Sequence, residues 1–120
     1  MKEIGKDLAL FEFLKKDYTI LDSQILGLNI HVKDFSLIIE VEFQIMRHLG
    51  GGRLKIIFSN IKQYNFYDSD PGNRYVENFK LLYNDNLFYI SVDPDEENMS
   101  IMLETDNYFI LCGNIEGYRY

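Results

Sequence analysis

The sequence predicts an α+β domain, one N-terminal helix packed on a curved antiparallel sheet of about seven strands, and three observations lead there. Apolar residues at three- and four-residue spacing occur at the front of the chain, the period of an amphipathic helix. Beyond Asp17 the period shortens to two, in short runs, the period of half-buried strands. Those runs are separated by turn clusters and not by helices, so neighbouring strands run antiparallel as a meander. A partial barrel is the limit of the sheet's curvature.

The helix rests on Ile4, Leu8 and Phe11, joined by Leu10, Phe13 and Leu14, with charged residues between them and Lys15-Lys16 at the end. Two cations there suit the negative end of the helix dipole. Ile25, Leu28, Ile30 and Val32 form a first strand, with Gly27 marking a bulge. Lys33-Asp34 is a hairpin turn. Leu37, Ile39, Val41, Phe43 and Ile45 then alternate with Ile38, Glu40, Glu42 and Gln44, the cleanest strand pattern in the chain.

Gly50-Gly51-Gly52 supplies the positive-φ positions of the next reversal. A phosphate-binding glycine loop would be followed by a helix. Here Leu54, Ile56 and Phe58 continue as a strand towards Tyr64-Asn65-Phe66, so the glycines make a hairpin loop. The run from Asp68 to Asn73 is the densest turn signal. Strands are expected at Val76–Tyr83, Leu87–Val92, Met99–Leu103 and Tyr108–Cys112, with a last edge strand around Ile115–Tyr118. An open edge there could pair two copies, so the expected state is monomer or homodimer.

The whole chain, 1–120, fits one domain. At 47% hydrophobic and 15% aromatic it is far from the composition of disorder. One cysteine, Cys112, cannot close an internal disulfide, which suits a reducing compartment. The first residues alternate in charge and form no apolar signal core. No run approaches the roughly 20 apolar residues of a membrane span. The expected location is the cytoplasm.

Charge is unevenly placed. Residues 1–60 hold eight basic and eight acidic side chains, whereas residues 61–120 hold four basic and eleven acidic, so the net −7 belongs to the second half. An acidic field repels nucleic acid and anionic membranes and steers a basic protein partner inward. It also serves solubility, the plainer of the two readings.

No catalytic set is legible. His31 and His48 are the only histidines, and nucleophilic catalysis needs a base in reach of the thiol. Cys112 lies in the apolar run Tyr108-Phe109-Ile110-Leu111-Cys112, where a free cysteine packs as a small hydrophobe. Structural zinc needs four Cys or His ligands, and three scattered ones do not make a site. Calcium fares slightly better, through Asp68, Asp70 and Asn73 in one turn and Asp93, Asp95, Glu96 and Glu97 in another. Neither has calcium-loop spacing, and turns favour these residues anyway. No metal and no cofactor are expected.

The tyrosines 64, 67, 75, 83, 89, 108, 118 and 120 suit strands. If exposed, they suit a sugar platform or a protein interface. Tyr89 alternates with the Phe88, Ile90 and Val92 face and is expected to face solvent.

Asp22-Ser23-Gln24-Ile25, Leu54 to Phe58, Leu87-Phe88-Tyr89-Ile90-Ser91-Val92-Asp93-Pro94 and Asp106-Asn107-Tyr108-Phe109-Ile110 together carry a resemblance. From residue 22 onward the chain resembles small bacterial immunity proteins of polymorphic toxin systems. The front helix is outside that likeness. The resemblance implies a cytosolic, non-enzymatic binder that blocks a toxin domain. With the charge, the leading expectation is an interaction module for a basic protein partner, using Tyr67, Asp68, Asp70, Asp93, Asp95, Glu96 and Glu97. A small-ligand or carbohydrate-binding β-module is the alternative.

Overall fold

The computed structural model describes residues 2–17, 20–66, 75–95 and 101–120. The described residues contain one α-helix, α1 (Asp7–Asp17), a 3-10 turn at Arg47–Leu49, and seven strands: β1 (Lys2–Lys6), β2 (Gln24–Lys33), β3 (Ser36–Gln44), β4 (Arg53–Asn65), β5 (Lys80–Asn84), β6 (Leu87–Asp93) and β7 (Asn107–Arg119). All pairings are antiparallel, in the order β2-β3-β4-β7-β6-β5, with β1 added on β7. The expected α+β class, with a helix against a curved antiparallel sheet, is the observed one. The sheet is open: two three-stranded meanders, β2-β3-β4 and β5-β6-β7, join where β4 pairs β7.

Alternation decides which residues meet inside. Ile39, Val41 and Phe43 of β3 pair with Phe58, Ile56 and Leu54 of β4, and all six are buried. β7 continues this inner face through Ile115, Cys112 and Ile110, and β6 through Phe88 and Ile90. Leu10, Phe11 and Leu14 of α1 close over it.

The first strand is a correction to the expected helix. Residues 2–6 pair with Glu116–Arg119 of β7, because that half of β7 would otherwise expose an unpaired row of N–H and C=O groups. The helix starts only at Asp7, whose backbone turns left-handed at φ 49°. The Asp7 carboxylate accepts the Ile115 N–H at 3.0 Å, in the gap on β7 between the end of β1 and the start of β6. The Asn114 side-chain amide donates to the same carboxylate at 3.2 Å.

Three further expectations change. Tyr108–Cys112 and Ile115–Tyr118 are one strand, and the second is no edge: it is central, held by β4 on one side and β1 on the other. Val76–Tyr83 shortens to β5, since Val76 bonds instead to Ser23 and Asp22 at the start of β2. Residues 101–103 of the expected Met99–Leu103 strand lie outside any strand; residues 99 and 100 are outside the described residues. The triple glycine is a reversal between β3 and β4, with φ of 105°, 63° and 78°.

Candidate functional site

The outer face of β5-β6-β7 holds the most unusual chemistry in the described residues. The register places Lys80 beside Ser91 and Phe109, and Leu82 beside Tyr89 and Leu111, in two rows across three strands. Residues 101–106 lead back from this face into β7, and Asp106 is the centre of what holds them. Its two carboxylate oxygens each accept a bond from the Lys80 ammonium, at 3.0 and 2.8 Å. The Tyr89 hydroxyl donates to it at 2.7 Å, the Asp95 N–H at 2.9 Å and the Leu103 N–H at 3.1 Å. Lys80 also donates to the Ile101 carbonyl at 2.7 Å.

Lys80, Tyr89 and Asp106 are all buried. Burial alone would push the Asp106 carboxyl up, but the hydrogen bonds from Lys80 and Tyr89 and from the two backbone N–H groups outweigh it and hold it below the usual carboxylate range. The Tyr89 hydroxyl is driven upward, first by burial and then by its bond to that anion. An ammonium with three acceptors and a carboxylate with five donated bonds offer a substrate no free proton or lone pair. Chemically this is a clamp: it ties residues 95, 101 and 103 to the sheet.

The clamp shapes a groove. One cleft of about 660 Å³ lies between α1 and the β5-β6 turn, with Leu82, Leu111 and Met102 in its lining. A second of about 500 Å³ runs to the end of β4 past Tyr64, Leu103 and Phe109. Tyr89, Met102 and Leu111 border both, so the two clefts adjoin there. Tyr89 and Phe109 stack with ring centroids 5.4 Å apart, forming part of the wall. Glu12 and Asp85 flank the first cleft, with Lys15, and Glu104 flanks the second. The rim therefore carries three carboxylates against one amine.

Comparison with protein-family models, curated proteins and solved structures finds no match for this chain.

Of the residues expected to contact a partner, Tyr67, Asp68, Asp70, Glu96 and Glu97 lie outside the described residues. Asp93 ends β6, opposite Asn107. Asp95 serves the clamp with its N–H, while its carboxylate accepts the Thr105 hydroxyl at 2.8 Å. Tyr89, expected in solvent, is 3% exposed; its hydroxyl is bonded to Asp106 and its ring stacks on Phe109. Tyr108 is buried too, whereas Tyr64, Tyr75, Tyr83 and Tyr120 are exposed.

Lys80 and Asp106 escaped the sequence reading. Lys80 is a lone cation in the apolar run Phe79-Lys80-Leu81-Leu82, and that was the available signal: a buried lysine requires an anion. Cys112 sits in the core, where burial pushes its thiol up to about 12. Among the described residues no group of three or more His, Cys, Asp or Glu side chains could hold a metal. No helix among them is long and apolar enough to cross a membrane.

Proposed function

We propose that this chain is a non-enzymatic interaction module that receives a basic protein partner in the groove on the outer face of β5-β6-β7. The observation that carries the proposal is the rim: Glu12 of α1 joins Asp85 and Glu104 of the acidic second half around an apolar floor. An apolar floor with exposed Met102 supplies burial. The net acidic rim supplies steering and selects against acidic partners. Exposed Tyr64 and Tyr83 add amphipathic contacts of the kind interfaces favour.

A cytosolic immunity protein that neutralises a basic toxin domain is the specific form of this reading, supported by the strand-and-turn resemblance from residue 22 onward. Binding of a small ligand or carbohydrate is the second reading. It is favoured by the groove's volume, which lies in the range of small-molecule sites.

Chemical-shift mapping separates the two. A lysine-rich amphipathic peptide is expected to shift Leu82, Met102, Glu104 and Leu111, and reversal of Glu12, Asp85 and Glu104 to lysine to weaken it at least roughly tenfold. Shifts at those residues with neutral oligosaccharides, and none with the peptide, would transfer the groove to the second reading.

A further inference from the structure

The β2-β3 hairpin breaks a local rule that the β5-β6 hairpin obeys. Both two-residue hairpin loops have positive φ at each central position: Asp34 and Phe35 at 51° and 66°, Asp85 and Asn86 at 53° and 62°. Aspartate and asparagine adopt that conformation readily, whereas a bulky side chain there is an outlier. Phe35 is also completely exposed, at 104% of its reference surface. Strain and full exposure of one aromatic give nothing to the fold, and such outliers mark functional contacts.

A second oddity lies at the other end of the hairpin. Gly27 is a strand glycine with ordinary φ, and a Cβ built on it meets nothing within 4 Å. Gly27 stands at the bulge of β2, and crowding within the chain does not call for glycine there. β2 is moreover the terminal strand of the sheet, and among the described residues its outer edge pairs only at Gln24, with Tyr75. Between the bulge near Gly27 and Lys33 it lacks the proline and central charges that guard open edges.

We propose that two copies of this chain pair antiparallel through their β2 edges about His31, each Phe35 seating on the other copy's Gly27. Pairing centred on residue 31 sets residue 35 opposite residue 27, the protruding ring against the vacant notch. The same register sets Ile30 opposite the other copy's Val32, and these are the exposed apolar residues of the strand, at 38% and 69%. It also sets Lys33 opposite Asn29, whose amide lies 3.5 Å from the Glu40 carboxylate, so an amine of each copy approaches an acid of the other. The interface is isologous, each contact occurring twice. Phe35 alone offers roughly 200 Å² towards the roughly 800 Å² per partner of a standard interface. The pairing is argued from β2 and its hairpin alone, and so stands on observations other than those behind the function proposed above.

Sedimentation equilibrium of the full chain up to about 1 mM tests this, with Phe35→Gly and Gly27→Val as variants. The wild type is expected to shift from monomer to dimer within that range. Each variant is expected to lose association at least roughly tenfold while its dilute melting temperature holds or rises, Phe35→Gly by about 4 °C from relief of backbone strain. A wild type that stays monomeric throughout, or association retained by either folded variant, overturns the pairing.

Discussion

Asp106 concentrates five donated hydrogen bonds on one buried carboxylate, four of them from Lys80, Tyr89 and the Asp95 N–H. Removing the charge strands the buried Lys80 ammonium, so Asp106→Asn is expected to cost about 3–5 kcal/mol in urea unfolding. The sign of the pH dependence follows from the depressed native value. The stabilisation is complete above the ordinary carboxyl value of about 4 and is lost as pH falls through the lower native value. Wild-type stability should decline on acidification below about pH 4, and Asp106→Asn should decline less over the same range. Parallel acid limbs would assign the decline to other carboxylates. The clamp was illegible in the sequence because Asp106-Asn107 reads as an ordinary turn, and only the register places Lys80 and Tyr89 beneath it. Cys112, by contrast, sits in the core its apolar run implies.

At the scale of elements, α1 lies on a floor of two glycines. Gly5 and Gly117 face each other across β1 and β7. A Cβ on Gly117 would come within 2.7 Å of the Leu10 side chain and 3.2 Å of Ile4, and one on Gly5 within 3.1 Å of the Leu10 backbone. Gly117→Ala is therefore expected to cost about 1–3 kcal/mol by overpacking, measured by thermal or urea unfolding, whereas Gly27→Val, facing open space, should cost nothing. Equal losses at the two sites would refute the glycine floor. The helix itself was legible from Leu10, Phe11 and Leu14, but β1 was not: Ile4 stands four residues before Leu8 and fits the helical period. Tertiary demand from the unpaired half of β7 overrode that local pattern. β3 and β6 were readable because one face of each is fully committed to the core, which fixes period and phase together. β5 was misjudged at its start because Phe79 and Val76 are apolar in a connection, where periodicity carries no register.

Across the whole molecule, charge is divided between the two halves of the chain. The balanced first half builds α1, β1, β2, β3 and most of β4, while the acidic second half builds β5, β6 and β7, which line the groove together with α1. The charge imbalance was readable from sequence alone, but the groove was not, since it arises where α1 meets β5 and where the clamp seats Met102. The same imbalance makes binding dependent on salt, because exposed charges are screened within about 8–10 Å at physiological ionic strength.

The most direct measurement is calorimetric titration of a lysine-rich amphipathic peptide, and of its uncharged counterpart, at low and high salt. The basic peptide should bind at low salt and weaken at least roughly tenfold at high salt, with Glu104→Lys reducing the low-salt affinity. Equal binding of both peptides, insensitive to salt and to Glu104→Lys, would contradict a groove built for a basic partner.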